Sequence, residues 1–522
     1  MRRLVALMRS PILPILAALM VLAACGSAGT RAGGDAAAAT PTRGGSMTVI
    51  TAGGFNTWPN LDPVMPGTAN AELRNSIFGE LFHQGPGGEI QPSLASGFTK
   101  STDGLTVTVE LRPGLMFSDG TPLNADAAVW NMRRALDPAT ACPCASLFTV
   151  VGSVAADGPE RVVLSLSQPY PPLIPAFVNT AMNWMGSPTA FEQAGAADFG
   201  QRPVGAGPFK VVSNQASQRL ELERNPTYWE KDLPYLDRLV FQAAGSDESA
   251  YAAVQSSTAD AVVGISSVDI LTKAQAQLNV IPIPAIAAAQ LQFNSLDPPL
   301  ADPRARQALI YATDIQSLTD VIGKGLYKPT QSPTAEGGLF FQEEVPGTRT
   351  FDLAKASELV REIGGLHVKL GGFGAAQSQT LVTAEAIQAM WRKAGIETEI
   401  SPEPLATLLE NYRTGNWQVY LGFSGAIDPA LRLGTDYFFH SKGPNSGVAD
   451  PKLDALLDQA HSSDDPAVRQ GLYSQAFQVI NDEAYATFLY QTNGYYIARK
   501  SVIGLDQNAK WASWERVSSR GA

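Results

Sequence analysis

The sequence predicts an α/β protein built from two unlike parts, and two observations carry that reading. From about residue 80 to 200, period-2 alternation and dense turn signals point to strands and loops. From 300 onward, helical and strand periods follow one another, which implies a parallel sheet covered by helices. With 45% hydrophobic and 17% charged residues in 522, the chain can bury large cores, so wholesale disorder is excluded. The net charge of −11 repels phosphate backbones and argues against a nucleic-acid partner.

The first element is an export signal. Arg2, Arg3 and Arg9 precede an apolar run from Pro11 to Ala24 that two prolines interrupt. It falls short of the roughly 20 residues a helix needs to cross a bilayer, so 1–24 reads as a signal peptide. Leu22-Ala23-Ala24-Cys25 resembles the bacterial lipobox, which makes Cys25 the expected lipid-attachment residue. Residues 25–43 are mostly Gly, Ala, Ser, Thr and Pro and are expected to form a flexible tether.

The β-rich stretch comes next. Leu105, Val107, Val109 and Leu111 alternate with polar residues, as do the residues of Arg161 to Leu166. Gly85 to Gly88, Arg112-Pro113-Gly114 and Asp119-Gly120 punctuate them as turns. Within this stretch Cys142 and Cys144 flank Pro143. An oxidising compartment permits a disulfide between them, and that is the expectation, with two free thiols as the alternative. A metal site would need further ligands, and none of the four histidines is near in sequence.

The α/β series then runs in order. Asp302-Pro303 caps a helix with Ala305, Ala308, Leu309 and Ala312 on one face. Asp352 caps the next, which carries Ala356, Leu359, Val360 and Ile363. A strand follows at Leu366-Val368-Leu370, then a helix with Ile387, Met390, Trp391 and Ala394, stopped by Gly395. Ile396 to Ile400 alternates as a strand; a helix with Leu405, Leu408, Leu409 and Tyr412 ends at Gly415; and Trp417-Val419-Leu421 reads as the next strand. Ligands of open α/β sheets lie beyond the carboxyl ends of their strands, which places Leu421 to Pro429 at a crevice.

Catalytic signatures are missing. The sequence holds no G-x-S-x-G, S-x-x-K, H-E-x-x-H or Walker A pattern, and no G-x-G-x-x-G after a strand. No enzyme activity and no cofactor are expected.

Spaced motifs do carry a resemblance. They include Gly44-Gly45-Ser46-Met47-Thr48-Val49, Asn60-Leu61-Asp62-Pro63, Ile77-Phe78-Gly79-Glu80-Leu81, Asp119-Gly120-Thr121-Pro122, Val204-Gly205-Ala206-Gly207-Pro208-Phe209, Arg224-Asn225-Pro226-Thr227-Tyr228-Trp229 and Lys393-Ala394-Gly395-Ile396. In this order they resemble the family 5 extracellular solute-binding proteins, the peptide and nickel receptors of ABC importers. The resemblance implies a two-lobed periplasmic-binding-protein-like fold of type II with an extra β-rich domain. It divides the chain into a first lobe (44–79, 205–288 and 492–522), an inserted β-rich domain (80–204) and a second α/β lobe (289–491). It also implies capture of a small solute, peptide or peptide-like, and delivery to membrane permease subunits by a lipid-anchored monomer. A ligand sensor of the same fold that feeds no permease is the alternative.

Two segments bear on the ligand. Asn56 and Trp58 lie in a glycine-containing loop after the opening strand, where the family lines its cleft; a loop aromatic packed on its own lobe is the other reading of Trp58. Phe423, Ser424 and Asp428 lie in Gly422 to Pro429. Peptide receptors of the family carry tryptophan–x–x–aspartate before an acidic–Pro pair, and that aspartate holds the peptide ammonium. Here Phe423 takes the tryptophan place and Ala426 the aspartate place, which leaves Asp428 either to take over or to cap a helix beginning at Pro429.

Overall fold

The computed structural model describes residues 41–53, 57–65, 71–85, 87–373, 379–491, 493–505 and 514–519. The signal segment, Cys25, nearly all of the tether and Asn56 lie outside them.

Three principal sheets organise the described residues. The first has seven strands in the order Asn279–Ile283, Gly494–Ala498, Ala261–Val263, Ser46–Thr51, Arg238–Ala243, Arg219–Arg224, Phe209–Gln215. Ser46–Thr51 lies parallel to both of its neighbours, and Val49 and Met47 point into a core with Leu220, Leu222 and Phe241. The second has six strands in the order Lys328–Pro329, Ala486–Gln491, Ala288–Phe293, Val419–Ser424, Leu366–Phe373, Ile396–Glu403. Leu366–Phe373 is parallel to both its neighbours, which is the alternation read from the sequence. The sheet is nonetheless mixed, because Ala288–Phe293 runs antiparallel to the strands on either side.

The helices of that series obey their local signals. Asp302 accepts from Arg304 N at the start of Pro303–Tyr311, and Asp352 from Lys355 N at the start of Leu353–Glu362. Gly395 and Gly415 take positive φ, the left-handed stop that favours glycine. The strand expected from Trp417 begins only at Val419.

The third sheet is antiparallel, in the order Ala95–Lys100, Thr106–Leu111, Arg161–Leu166, Val151–Asp157. Val107, Val109 and Leu111 face its core, as their alternation requires. The stretch 80–200 holds more helix than its turn signals predict. Ala125–Leu136 starts at Asn124, whose side chain accepts from Ala127 N, and Pro188–Gln201 starts at Ser187. The first of these covers the sheet with Ala128, Met132 and Ala135.

The Gly205 to Pro208 motif works by close approach. A Cβ on Gly205 would lie 2.3 Å from Ile77 O, and one on Gly207 would lie 2.6 Å from Ile77 C. Bare backbone at both positions lets Gly207 N donate to Ile77 O at 2.9 Å, fixing the end of the helix Ala71–Phe78.

Candidate functional site

The chain passes between the first and second sheets twice, from Ile283 to Ala288 and from Gln491 to Gly494. Ala285 N on the first passage donates to Asn493 Oδ1 on the second, at 3.2 Å. The carboxyl end of Val419–Ser424 is pressed against this crossing. A Cβ on Gly425 would lie 2.3 Å from Ala287 Cα, so only glycine lets the loop lie so close. Ser424 Oγ donates to Pro333 O (3.0 Å), Gly425 N to Leu433 O (2.7 Å) and Leu339 N to Ile427 O (2.7 Å). Ala426, Ile427 and Leu431 then enter the same apolar cluster as Val64, Leu94, Phe117 and Met182. Gln84 Nε2 crosses the same boundary to Gly337 O at 2.8 Å. The loop after Val419–Ser424 is thus packed between the crossing segments and the apolar cluster under the third sheet.

At the far end of that loop sits a buried ion pair. Asp428 is fully buried, and its Oδ2 and Oδ1 accept from Arg469 Nη1 and Nη2, both at 2.7 Å. Oδ1 also accepts from Ala430 N at 3.0 Å. Arg469 projects from the first turns of Pro466–Asp482, where Asp465 is the cap, and its Nε donates to Ala460 O at 2.9 Å. Its guanidinium lies 4.8 Å from the centre of the Phe340 ring. Burial works against the Arg469 charge, but the paired bonds and charge of Asp428 outweigh it and hold the side chain above its ordinary pKa.

Further titratable groups surround the pair. Asp436, on the short helix Thr435–Phe439, is pushed up by burial, while the His461 ring nitrogen 3.5 Å from its Oδ2 opposes that shift. Tyr170 approaches from the other side of the crevice, its ring 5.4 Å from that of His461, and burial pushes its phenol up. Lys100 and Asp464 pair across the same boundary. Thr435 Oγ1, Asp436 Oδ1 and both amide atoms of Gln290 are buried without a hydrogen-bond partner among the described residues. Beside the ion pair, Thr435 and Asp436 thus leave polar capacity unused.

The sequence-predicted ligand residues are placed as follows. Trp58 is fully buried; its Nε1 donates to Asn214 Oδ1 (3.1 Å), its backbone N donates to Ser217 Oγ (2.9 Å), and it packs with Leu61 and Phe241. Phe423 is 42% exposed on the face of its strand opposite Ser424. Ser424 is committed to Pro333 and Asp428 to Arg469. Pro429 opens a turn instead of the expected helix, which begins only at Thr435, so Asp428 bonds one backbone N–H and otherwise serves Arg469. Cys142 and Cys144 carry free thiols. Sequence reasoning did not find Arg469, Asp436, His461, Tyr473 or Tyr170; the Asp465-Pro466 cap marks Arg469's helix but not its partner.

The family model for bacterial extracellular solute-binding proteins, family 5 Middle, matches residues 89–446. The chain belongs to this family. The glutathione-binding protein GsiB of Shigella boydii is 27% identical to this family 5 chain over 456 residues, covering 84% of it and 87% of that relative. Among solved structures, HbpA2 from Haemophilus parasuis is 23% identical, with a TM-score of 0.80 over 91% of this chain and all of that one. DppA from Helicobacter pylori, in complex with peptide STSA, is 19% identical, with a TM-score of 0.71 over 92% of this chain and 98% of that one. The fold is therefore the two-lobed one of the periplasmic binding proteins. The homologues are solute-binding proteins, not enzymes.

Proposed function

We propose that this family 5 protein captures a small peptide-like solute between its lobes without gripping an α-ammonium through Asp428, and delivers it to an ABC permease. The observation that carries the ligand chemistry is the Asp428–Arg469 pair. Both carboxylate oxygens are taken, and Ala426 offers no carboxylate in the place where peptide receptors of the family keep one. A ligand ammonium would have to compete with a bidentate guanidinium already neutralising that charge. The names of GsiB and of the peptide complex of DppA favour peptide-like solutes. The orphaned amide of Gln290 and the hydroxyl of Thr435 suit neutral amide and carbonyl groups.

The segments that share a sheet support the lobe division of this proposal. Residues 44–79, 205–288 and 492–522 form the first, 289–491 the second, and 80–204 the β-rich insertion; hinge motion at the two crossings opens and closes the crevice. Isothermal calorimetry with di- to pentapeptides and glutathione, each free and N-acetylated, tests the reading. N-acetylation should change affinity less than about threefold, against the several kcal/mol expected where a buried carboxylate holds the ammonium. Tight binding of free peptides that acetylation abolishes would overturn it.

Anchoring belongs to the same proposal. Cys25 carries the lipid, and an acidic body has little affinity of its own for a membrane. Cys25→Ala should move the protein from the membrane to the soluble fraction, read by fractionation and blotting. A variant that stays with membranes like the parent would exclude the lipid anchor.

A further inference from the structure

The loop between Ala125–Leu136 and Val151–Asp157 turns two thiols inward. Asp137 caps the short turn Pro138–Thr140, Ala141 takes a left-handed φ of 49°, and Ala145 N donates to Cys142 O at 3.1 Å. Cys142 and Cys144 are therefore the first and third residues of a tight turn, a separation compatible with the roughly 4.4–6.8 Å between Cα atoms that a disulfide spans. Ala141, Pro143 and Ser146 are exposed around them, while the two cysteines are 7% and 8% exposed. The Cys144 thiol hydrogen-bonds Cys142 and lies 4.0 Å from Ala135 O.

Arg74 of the helix Ala71–Phe78, also 8% exposed, interacts electrostatically with both thiols. Its guanidinium lies 4.8 Å from the centre of the Trp184 ring, and its Nε and Nη2 have no acceptor among the described residues. Asp62 is already engaged by Arg134 at 2.7 Å. Burial pulls Arg74 down to about 10, and the charges that oppose the shift come from Cys142, Asp62 and Cys144, in that order. Cys142 is brought down to about 7, chiefly by the Cys144 hydrogen bond, with burial opposing and two backbone N–H groups and Arg74 adding to it. The same hydrogen bond, then burial, pushes Cys144 up. Asp62 is shared with Arg134, so a buried guanidinium with spare donors favours ionisation of one of the two thiols.

We propose that Cys142 and Cys144 form a redox-active dithiol that exchanges with low-molecular-weight disulfides, Cys142 attacking as a thiolate beside Arg74 and Cys144 resolving. The Cys142 thiolate attacks one sulfur of the disulfide RSSR; that S–S bond breaks and RS⁻ leaves, taking a proton from water. Cys144 loses its proton and attacks the Cys142 sulfur of the mixed disulfide, and the second RS⁻ leaves and is protonated. Two protein thiols are oxidised to one disulfide while RSSR is reduced to two RSH, so no other oxidant enters. The compartment of an extracellular solute-binding family allows this chemistry. Among the described residues no third Cys, His, Asp or Glu joins the pair to make a metal-binding group.

The test uses the full chain with Cys25→Ala, reduced and then exposed to cystamine. Intact-mass spectrometry should show the pair losing about 2 Da, Cys144→Ser stopping at the cystamine adduct, and Cys142→Ser reacting at least about tenfold more slowly. The rate of iodoacetamide alkylation of Cys142 should rise through about pH 7 in the protein with both thiols. Arg74→Gln should move that midpoint upward, and Arg74→Lys should restore part of it. Equal rates for the two serine variants, or a profile at the ordinary thiol value of about 8.5, would overturn the proposal. The serine variants and the profile decide it even where Arg74→Gln does not fold.

Discussion

Arg469→Met should cost about 3–5 kcal/mol of stability, the usual penalty for removing one partner of a buried ion pair. The single variant leaves the Asp428 carboxylate, fully buried, with only Ala430 N as a donor among the described residues. It also strips Ala460 O of its partner. The double variant Asp428→Leu with Arg469→Met should recover most of the loss, because an apolar pair of similar volume removes the stranded charge as well. Urea unfolding of the parent, both single variants and the double variant completes the cycle. Losses that simply add would show that the two side chains act independently. A coupling of several kcal/mol supports a carboxylate committed to the fold, which is the premise of the ligand chemistry proposed above.

What the sequence made legible is local. Asp302, Asp352, Gly395 and Gly415 each act within one helical turn of themselves, and the structure finds each in its expected role. Thr106–Leu111 was readable because Val107, Val109 and Leu111 share one buried face. Ala288–Phe293 was not: every residue in it is buried, and Gln290 and Gln292 break any apolar pattern. Gln292 is accommodated by Phe438 O and Asn445 O, partners about 150 residues away that no window could show. The helix Ala125–Leu136 escaped for a different reason, since its inner face is mostly alanine and gives a weak apolar signal.

The candidate site divides along the same line. The location of Gly422 to Pro429 followed from strand order, and the missing carboxylate at Ala426 could be read from one residue. That Asp428 is spoken for depends on Arg469, 41 residues away on another helix. Likewise the spacing of Cys142 and Cys144 was visible in the sequence, whereas Arg74 reaches them only through the packing of the helix Ala71–Phe78. Charges that meet across elements are set by tertiary geometry, which a linear pattern does not encode.

Glu72→Gln should make the protein more stable at pH 8 than its parent, after matching it closely near pH 4.5. All eight residues of Ala71–Phe78 are buried, and Glu72 is fully so. Its Oε1 accepts from Tyr496 OH at 3.3 Å, while Oε2 has no partner among the described residues. Burial pushes the carboxyl from its ordinary 4.5 up to about 7, against smaller opposing contributions from a backbone hydrogen bond and from Tyr496. The folded state thus holds the proton more tightly than the unfolded state. The contribution of this group is fully present below about pH 4.5 and is lost as pH rises through about 7. The gap corresponds to about 3 kcal/mol. Glutamine keeps an acceptor for Tyr496 and never ionises, so any cost of its own amide is the same at every pH. Urea unfolding of parent and variant between pH 4.5 and 8.5 should therefore show a difference that grows in the variant's favour mainly between about 4.5 and 7. Two curves that stay parallel across that window would mean that Glu72 carries its charge in the folded protein, and that the helix has a counter-charge or water at Oε2.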